Sequence, residues 1–317
     1  HFRFTAQGET VARLEARLGF LHKGIEGLLE GADLARAARI VGRVSGDSTV
    51  AYALAFARAV EAATGTEPPA RAVWLRALLA ELERIANHLG DVGAICNDAA
   101  FALLHNVTGI LRERLLATNA AVFGHRLSMD TVVPGGVAVD LHAPGFEAIR
   151  AVVATIRAQL PEVARIYDET PSLMDRTAAT GITDPVLVRR FAAGGHVGRA
   201  AGRDFDARRD LAYPPYDTLD LRVPVRDRGD VDARVRIRLD ELDVSLGLVA
   251  TILERLPLGP TVVPVAPRAG EGMALVESFR GDVLVWLRLD GDGRIRRCHP
   301  RDPSWFQWPL LEAAVEG

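Results

Sequence analysis

The segment from Arg43 to Tyr52 brings a guanidinium, two serine hydroxyls, a carboxylate and a phenol into ten consecutive residues. Serine hydroxyls stay protonated near neutral pH and are hard, weak ligands for a divalent transition metal, which favours hydrogen bonding over metal binding. Asp47 and Tyr52 are the candidate catalytic residues of this segment. The other residues of interest are Arg43, Ser45, Gly46 and Ser48.

An ordinary structural role is the alternative for the same residues. Gly46-Asp47-Ser48 precedes the apolar run from Val50 to Val60. This pattern is typical of a loop and N-cap that lead into a helix, with Gly65 as its end. Under this alternative the polar residues only begin the helix.

His22 and Glu26 form a second pair of candidate catalytic residues. They lie four residues apart, which is about one helical turn, and could relay protons. A capping or salt-bridge role is the alternative.

Three polar residues, Glu81, Arg84 and His88, follow the edge of a leucine seam. They could form a partly buried hydrogen-bonded chain, or a charged strip exposed to solvent. A group of three arginines could hold an acidic partner surface or merely solvate a loop: Arg199, Arg203 and Arg208.

Helical periodicity dominates the chain. Apolar residues spaced three and four apart form the stripe of a long helix from Leu75 to Val92. A second seam runs from Val231 to Leu256 and stops at Pro257. These two helices are expected to pack in the core. A third helix is expected over Phe146 to Tyr167, with Pro144 just before its start.

Hairpins are expected near both ends. His1 to Phe4 alternates as a strand, Gly8-Glu9 makes a turn and Val11 to Leu18 returns. Later, Val283 to Leu289 and Arg294 to Cys298 flank an Asp-Gly-Asp-Gly turn. The expected fold is α+β and mainly helical, with a long-helix core and small β hairpins. We expect a single unit made of a β hairpin (residues 1–20), a helical part (21–180) and a mixed α+β part (181–317).

Composition excludes several classes of function. The net charge is -3 and aromatic residues make up 6% of the chain, so neither a basic field nor a stacking platform for nucleic acid is expected. Cys96 and Cys298 are too few for an iron–sulfur or zinc site and indicate a reducing compartment. No apolar run reaches the roughly 18 residues of a membrane span. Dinucleotide and Walker fingerprints are absent, so the chain should not itself bind NAD.

Several longer segments resemble two related families. Gly19 to Glu26 is similar to a segment shared by the large subunits of membrane-bound (group 4) NiFe hydrogenases and the 49 kDa subunit of respiratory complex I. The resemblance covers nearly the whole chain. Further matching segments follow in order: Arg76 with Glu81 to Leu89, Gly124 to Arg126, Pro134 to Val137, Gly202 to Arg208, Tyr213 to Tyr216, Gly229 to Val231, and Glu277 to Gly281.

The resemblance implies that Arg43 to Ser48 occupies the first nickel-ligand motif of hydrogenases, Arg-x-Cys-Gly-x-Cys. The hydrogenase cysteines fall at Ser45 and Ser48, and a histidine usually falls at Tyr52. The complex I branch instead has a quinone-facing tyrosine at Gly46. This chain keeps neither set. The degenerate cofactor-binding positions are therefore Arg43, Ser45, Gly46 and Ser48, and no bound metal is expected.

Active relatives carry a second nickel motif, Asp-Pro-Cys-x-x-Cys, near the C terminus. Asp302-Pro303-Ser304 resembles it, but Trp308 to Leu311 matches a segment that precedes the motif in relatives. The counterpart is therefore expected beyond Gly317, and Asp302 is expected to cap a short terminal helix. Because His1 already lies within a hairpin, the family unit is expected to be truncated at both ends.

The resemblance implies a subunit of a membrane-associated complex of the NADH-quinone oxidoreductase or hydrogenase type. A quinone or another acceptor is expected in a cavity under Ser45 to Tyr52, with electrons from an iron–sulfur cluster in a partner subunit. The expected partners are a small iron–sulfur subunit, a complex I 30 kDa-like subunit and, indirectly, membrane subunits. The surface around Gly42 to Ser48 and His22 is expected to be buried against the iron–sulfur subunit.

The expected location is the cytoplasmic side of the inner membrane, reached through partner subunits. A catalytically inactive scaffold that couples these partners is the alternative, and whether the chain catalyses a reaction by itself stays open. An active hydrogenase is excluded because the chain lacks the soft ligands of the nickel site.

Overall fold

The computed structural model describes residues 1–316, in which long helices form the core and three small antiparallel sheets lie beside them. In chain order the helices are α1 (Ile25–Leu29), α2 (Leu34–Val41), α3 (Thr49–Thr64), α4 (Ala70–Asp98), α5 (Ala102–Phe123), α6 (Ala143–Asp168), α7 (Pro171–Thr177), α8 (Pro185–Arg190), α9 (Gly195–Ala200), α10 (Ala207–Asp210), α11 (Val231–Arg255) and α12 (Trp308–Val315). Short 3₁₀ helices cover Tyr216–Thr218 and Pro303–Phe306. The strands are β1 (Phe2–Gln7), β2 (Thr10–Ala16), β3 (Val132–Val133), β4 (Gly136–Val137), β5 (Gly270–Ser278), β6 (Gly281–Leu289) and β7 (Ile295–Arg301).

Helix α4 is the centre of the helical core, because it packs against both α5 and α11. The apolar stripe expected from its periodicity is buried: Leu75, Leu78, Leu82, Ile85, Leu89 and Val92. Helix α11 begins where Gly229-Asp230 predicted a start, since the Asp230 side chain accepts a hydrogen bond from the Ala233 N–H at 2.8 Å. The two helices therefore pack together as the sequence predicted.

Helix α3 is buried along almost its whole length and packs against β5 and β6. It ends at Gly65, whose φ of 70° lies in the left-handed region that favours glycine. Strand β5 approaches the helix closely at Gly272, where a Cβ would lie 1.9 Å from the carbonyl oxygen of Ala59. Only glycine lets the strand lie this near the helix backbone.

The sheets are small and antiparallel. Strands β1 and β2 pair from Phe2 opposite Ala16 to a turn at Gly8, as the sequence predicted. The largest sheet has the order β5-β6-β7, in which Ala274 faces Val285 across the first pair. This sheet covers α3 and places the turn between β5 and β6 next to the loop that precedes that helix.

The predicted fold class is confirmed, with three differences in detail. Helix α6 begins at Ala143, so Pro144 lies in the first turn, where a proline has no hydrogen bond to lose. The predicted C-terminal hairpin gains β5 as a third strand. Helix α5 was not identified from the sequence, because its hydrophobic pattern is weakly periodic and several of its apolar residues, such as Leu103 and Ile110, are exposed.

Candidate functional site

The loop between α2 and α3, residues 42–48, which we call the motif loop, directs the side chains of Ser45 and Ser48 at one carboxylate. Ser45 Oγ donates a hydrogen bond to Asp47 Oδ1, and Ser48 Oγ donates to the same oxygen at 3.4 Å. Ser48 is buried and Ser45 is half-buried. The two hydroxyls therefore converge on Asp47.

Asp47 is fixed from two further directions. The Arg280 guanidinium forms an ion pair with Asp47 Oδ2, and Asn87 Nδ2 donates to the Asp47 carbonyl oxygen at 2.5 Å. Arg280 also lies over the Phe279 ring, with its Cζ atom 5.1 Å from the ring centroid. Helix α4 and the turn between β5 and β6 thus hold the motif loop in place.

Glu83 of α4 caps the first turn of α3 from outside that helix. Its carboxylate accepts hydrogen bonds from the Val50 N–H at 2.6 Å and the Ala51 N–H at 3.1 Å. Ser48 occupies the N-cap position that the sequence predicted, but its side chain makes no capping hydrogen bond. Burial raises the pKa of Glu83 to about 8, and this effect outweighs the two N–H groups, which lower the pKa.

Arg43 points away from the serines toward the surface. Its guanidinium binds Asp130 through two hydrogen bonds of 2.6 and 2.7 Å. These hydrogen bonds lower the pKa of Asp130 and raise the pKa of Arg43. The carbonyl oxygens of Arg43 and Val44 accept hydrogen bonds from Lys23 Nζ at 3.3 and 2.9 Å. The segment before α1 is therefore attached to the motif loop through Lys23.

Tyr52 is fully buried and reaches the C-terminal part of the chain. Its hydroxyl donates to Asp302 Oδ2 at 2.5 Å. Burial and Asp302 raise the pKa of Tyr52 well above its usual range, so the phenol remains a donor. Asp302 also accepts the Ser304 N–H at 2.9 Å, so it is an N-cap as predicted, but of the 3₁₀ helix Pro303–Phe306 rather than of α12, which has Gln307 at its N-cap. Tyr52 and Asp302 are thus 250 residues apart in sequence but in contact in the fold.

His22 and Glu26 are not hydrogen-bonded to each other. His22 precedes α1, is exposed, and accepts the Gly24 N–H on its Nδ1 at 3.0 Å. Glu26 instead contacts His299, with Oε1 and Nδ1 2.5 Å apart, and Arg297 at 3.6 Å. The structure therefore does not join them into the predicted relay, and it favours the alternative of a capping contact and a salt bridge.

A cavity of about 340 Å³ opens beside Asp47, between α4 and α5. We call it the Asp47 cavity. Its wall combines polar groups with one aromatic ring and is formed by Asp47, Asn87, Gly90, Asp91, His105, Thr108, Gly109, Arg112 and Phe279. Neither Tyr52 nor His22 reaches it, so of the four candidate catalytic residues only Asp47 lines this cavity.

Gly46 lies outside the Asp47 cavity. It borders a separate crevice of only about 10 Å³, and a Cβ built on Gly46 would meet no atom within 4 Å. A side chain introduced at Gly46 would therefore extend into free space.

Helix α4 also carries one half of a buried ionic network. Glu81 accepts hydrogen bonds from Arg208 Nη1 at 2.9 Å, Tyr216 Oη at 2.6 Å and Ser245 Oγ at 2.7 Å. Arg208 in turn binds Asp206 Oδ2 at 2.7 Å. Burial alone would raise the pKa of Glu81, but Arg208 and other donors lower it. The carboxylate is thus held ionised in the core.

The other half of the network centres on Glu241 of α11. His88 Nε2 donates to Glu241 Oε2 at 2.8 Å, and Arg199 Nε donates to Oε1 at 2.7 Å. Burial would raise the pKa of Glu241, but Arg199 and His88 hold it well below its usual range. Burial lowers the pKa of His88. Arg199 also donates to Glu277 at 2.9 Å, and burial raises the pKa of Glu277 to about 7.

The network decides between the interpretations that the sequence left open. Glu81, Arg84 and His88 are buried, so the exposed strip was wrong. Arg84 Nη1 and His88 Nε2 both donate to Glu241 Oε2, at 3.5 and 2.8 Å, and Arg84 Nε forms an ion pair with Glu81 at 3.6 Å. Arg199 and Arg208 are fully buried, so neither a partner surface nor a solvated loop describes them. Both alternatives failed for Arg199 and Arg208, because Glu241 and Glu277 neutralise Arg199 and Glu81 neutralises Arg208 from segments distant in sequence. Sequence spacing does not reveal such partners.

The residues that hold the motif loop were missed by the sequence analysis. Glu83 and Asn87 lie four apart on α4, so one helical turn places both beside the loop. This spacing of four residues, beside the strip of Glu81, Arg84 and His88, was the sequence signal that could have identified Glu83 and Asn87. No local pattern pointed to Arg280.

The donor set of the motif loop does not fit nickel. Ser45 and Ser48 offer hydroxyls in place of thiolates, and both already donate to Asp47. Within residues 1–316, no three His, Cys, Asp or Glu side chains are grouped so that they could hold a metal ion.

Comparison with known proteins identifies relatives of both predicted kinds. The family model described as Respiratory-chain NADH dehydrogenase, 49 Kd subunit matches residues 99–267, and the Nickel-dependent hydrogenase model matches residues 23–90. The carbon monoxide-induced hydrogenase of Rhodospirillum rubrum is 30% identical over 320 residues, which cover 100% of this chain and 89% of that protein. An NADH-quinone oxidoreductase subunit of Rhizobium etli is 34% identical over 338 residues, which cover 96% of this chain and 83% of that protein.

A solved structure agrees with these relationships. A chain of the membrane-bound sulfane sulfur reductase, described as an archaeal respiratory membrane complex, matches with a TM-score of 0.94 and 27% identity. The match covers 100% of this chain and 88% of that one. The protein is thus an oxidoreductase-type subunit with a fold shared by hydrogenases and respiratory NADH dehydrogenases. It belongs to the family of the respiratory-chain NADH dehydrogenase 49 Kd subunit, and residues 23–90 are similar to nickel-dependent hydrogenases.

Proposed function

We propose that this chain binds a quinone or a similar small electron acceptor in the Asp47 cavity, as a nickel-free subunit of a membrane-associated electron-transfer complex. The general kind of complex rests on the relatives, which are subunits of membrane-bound hydrogenase or NADH-quinone oxidoreductase-type assemblies. One observation carries the finer proposal. Asp47 belongs to the degenerate motif loop and also lines a cavity of about 340 Å³, a size typical of small-ligand sites.

The wall of the Asp47 cavity suits a carbonyl-bearing ring. Phe279 contributes apolar atoms to the wall, and His105 and Arg112 carry N–H groups that can donate to a carbonyl oxygen. Arg112 is positioned by its Nε, which donates to the Ala86 carbonyl oxygen at 3.1 Å. Its terminal nitrogens make no hydrogen bond to the described part of the chain and are available to a ligand.

The roles of this chain's own residues follow from that arrangement. Asp47 is fixed by Ser45, Ser48 and Arg280, so it forms a rigid wall for the acceptor. The electrons come from an iron–sulfur cluster of a partner subunit, and this chain binds the acceptor and orients it. No step is assigned to nickel, because the loop lacks thiolates.

Gly109 allows the proposal to be tested by filling the cavity. It lines the Asp47 cavity, and a Cβ built there would meet no atom within 4 Å, so Gly109→Trp should fold normally. We expect this variant, in the intact complex, to lose acceptor-dependent turnover while its melting temperature stays unchanged. Size-exclusion chromatography of the complex checks that partners remain bound.

Gly46→Trp is the matched control, because it adds the same side chain beside the same loop but outside the cavity. Full turnover in Gly46→Trp together with loss in Gly109→Trp supports binding in the Asp47 cavity. Loss in Gly46→Trp alone would place the acceptor against the motif loop instead. Full turnover in both assembled variants would show that the acceptor binds neither in the Asp47 cavity nor against Gly46.

The proposed partners are a small iron–sulfur subunit, a 30 kDa-like subunit and, through them, membrane subunits at the cytoplasmic face. Support comes from the segment that Lys23 attaches to the motif loop, in which Phe20 and Leu21 are 73% and 91% exposed. No helix in residues 1–316 is both long and apolar enough to cross a membrane. Purification from the native host should return the chain with an iron–sulfur subunit, and its consistent recovery alone would contradict this.

A structural scaffold is the second candidate. The observation that favours it is the motif loop itself, because both hydroxyls and the Asp47 carboxylate are already engaged within the chain. A scaffold predicts that Gly109→Trp leaves turnover of the assembled complex unchanged, whereas acceptor binding predicts its loss.

A further inference from the structure

A second cavity, of about 490 Å³, lies between α3, the start of α4 and the segment around Tyr213. We call it the Arg58 cavity. It shares no lining residue with the Asp47 cavity. Its walls include the apolar side chains of Leu54, Val73 and Ala77. Any ligand here is therefore independent of the acceptor proposed above.

Arg58 lines this cavity without a polar partner in the described part of the chain. Its guanidinium forms no ion pair within residues 1–316, and its buried Nε has no hydrogen-bond acceptor. The Cζ atom lies 4.5 Å from the centroid of the Tyr213 ring, which fixes the plane of the guanidinium. The Tyr213 hydroxyl accepts the Glu277 N–H at 3.2 Å, so this aromatic platform is itself held in place.

The nearby acids do not neutralise Arg58. Glu61 is committed to Arg76, through hydrogen bonds of 2.5 and 3.0 Å, and to the Gly135 N–H at 2.9 Å. Glu67 lines the cavity but is exposed and forms no ion pair within residues 1–316. A second arginine, Arg268, lies at the rim, with Nη1 3.8 Å from the position that a Gly65 Cβ would take.

An unpaired guanidinium in a partly desolvated site is energetically unfavourable. Burial lowers the pKa of Arg58, which reflects that cost. Other arginines in this interior, such as Arg76 and Arg208, each have a carboxylate partner. A ligand oxyanion would give Arg58 the negatively charged hydrogen-bond acceptor that the described chain does not provide. The planar guanidinium favours a carboxylate or phosphate that accepts two hydrogen bonds.

We propose that the Arg58 cavity binds a small oxyanion, a carboxylate or a phosphate, carried on a short apolar body. Arg58 holds the oxyanion, and the apolar body contacts Leu54, Val73 and Ala77. Glu67 opposes the ligand charge and weakens its binding. The structure therefore assigns a recognition role to Arg58 and an opposing role to Glu67.

Calorimetric titration of the full chain with three matched probes tests the proposal. Benzoate and phenyl phosphate present the two oxyanions on the same ring, and benzamide is the neutral analogue of benzoate. We expect at least one anion to bind about tenfold or more tightly than benzamide. The ratio of benzoate to phenyl phosphate affinity shows which oxyanion the cavity prefers. Equal affinity for all three probes, or no binding of either anion at millimolar concentration, would overturn the proposal.

Variants separate this site from general attraction of anions. Arg58→Leu should abolish the preference for an anion, Arg58→Lys should keep part of it, and Glu67→Gln should strengthen anion binding. Arg157→Gln removes an exposed arginine on α6 and should leave affinity unchanged. Circular dichroism checks folding, and if Arg58→Leu does not fold, Arg58→Lys and Glu67→Gln still decide. Unchanged anion binding in a folded Arg58 variant would refute the role of Arg58.

Discussion

Replacing Tyr52 with Phe removes one hydroxyl from a fully buried side chain and leaves its ring in place. The lost hydrogen bond is the one to Asp302 Oδ2 at 2.5 Å, which joins α3 to the segment before α12. A hydrogen bond to a charged acceptor contributes about 1.5 to 3 kcal/mol. Asp302 keeps the Ser304 N–H at 2.9 Å and is partly exposed, so water can replace part of the loss. We expect Tyr52→Phe to lower the free energy of unfolding by about 2 kcal/mol.

The assay is urea unfolding followed by tryptophan fluorescence and far-UV circular dichroism, with Asp302→Asn and the double variant measured in parallel. The Asp302→Asn substitution removes the charge but keeps an oxygen that accepts a hydrogen bond. If Tyr52 acts through Asp302, the two losses are not additive, and the coupling free energy should be about 1 kcal/mol.

Tyr167→Phe is the matched control. Tyr167 is also fully buried, and its hydroxyl bonds to Thr177 at 3.1 Å and to Asp232 at 3.2 Å, on a different part of the core. It should destabilise the protein without coupling to Asp302→Asn. Additive effects of Tyr52→Phe and Asp302→Asn, within about 0.3 kcal/mol, would refute the contact as a stabilising link.

Three further outcomes are expected. The purified chain should contain no stoichiometric nickel by elemental analysis, and about one nickel per chain would contradict the loss of the ligand site. The pKa of Glu83 is raised from 4.5 to about 8 in the fold, so the folded state holds a proton that the unfolded state has lost, and stability falls as pH rises through this interval. Between pH 6 and pH 9 the wild type should lose about 3 kcal/mol more than Glu83→Gln in urea unfolding, and equal losses would show that the carboxylate is ionised throughout. Arg208→Met should cost about 3 to 5 kcal/mol because it leaves Glu81 and Asp206 short of a buried cation, whereas exposed Arg165→Gln should leave the free energy of unfolding nearly unchanged in the same assay.

Elements with strong local signals were predicted well. The stripe of α4, the Asp230 cap of α11 and the glycine that ends α3 each arise from neighbouring residues, so their sequence pattern is sufficient. Helix α5 lacked a clear stripe, because part of its apolar surface is exposed. Strand β5 was missed because its glycines serve close packing on α3, a tertiary requirement that weakens the local strand pattern.

The structure brings only some of the candidate site residues together. The motif loop was located from its residues and from the family resemblance, and Asp47 does line a cavity. His22 and Tyr52 do not reach that cavity, since one is exposed before α1 and the other is buried against Asp302. Spacing along the chain shows which residues share a helical face, but it does not show which residues of other segments contact that face.

The sequence by itself determined that positions 45 and 48 carry serine hydroxyls, which are poor ligands for nickel, because ligand chemistry depends on residue type. It also determined the helical core, since amphipathic periodicity is a local property. Only the tertiary structure decided that Arg280 holds Asp47, that Arg199 and Arg208 are buried, and that Arg58 forms no ion pair within residues 1–316. The physical reason is that charge pairing in a core depends on distances between segments far apart in sequence. Packing sets those distances, so a charged residue that reads as a surface group in the sequence can be a structural ion in the fold.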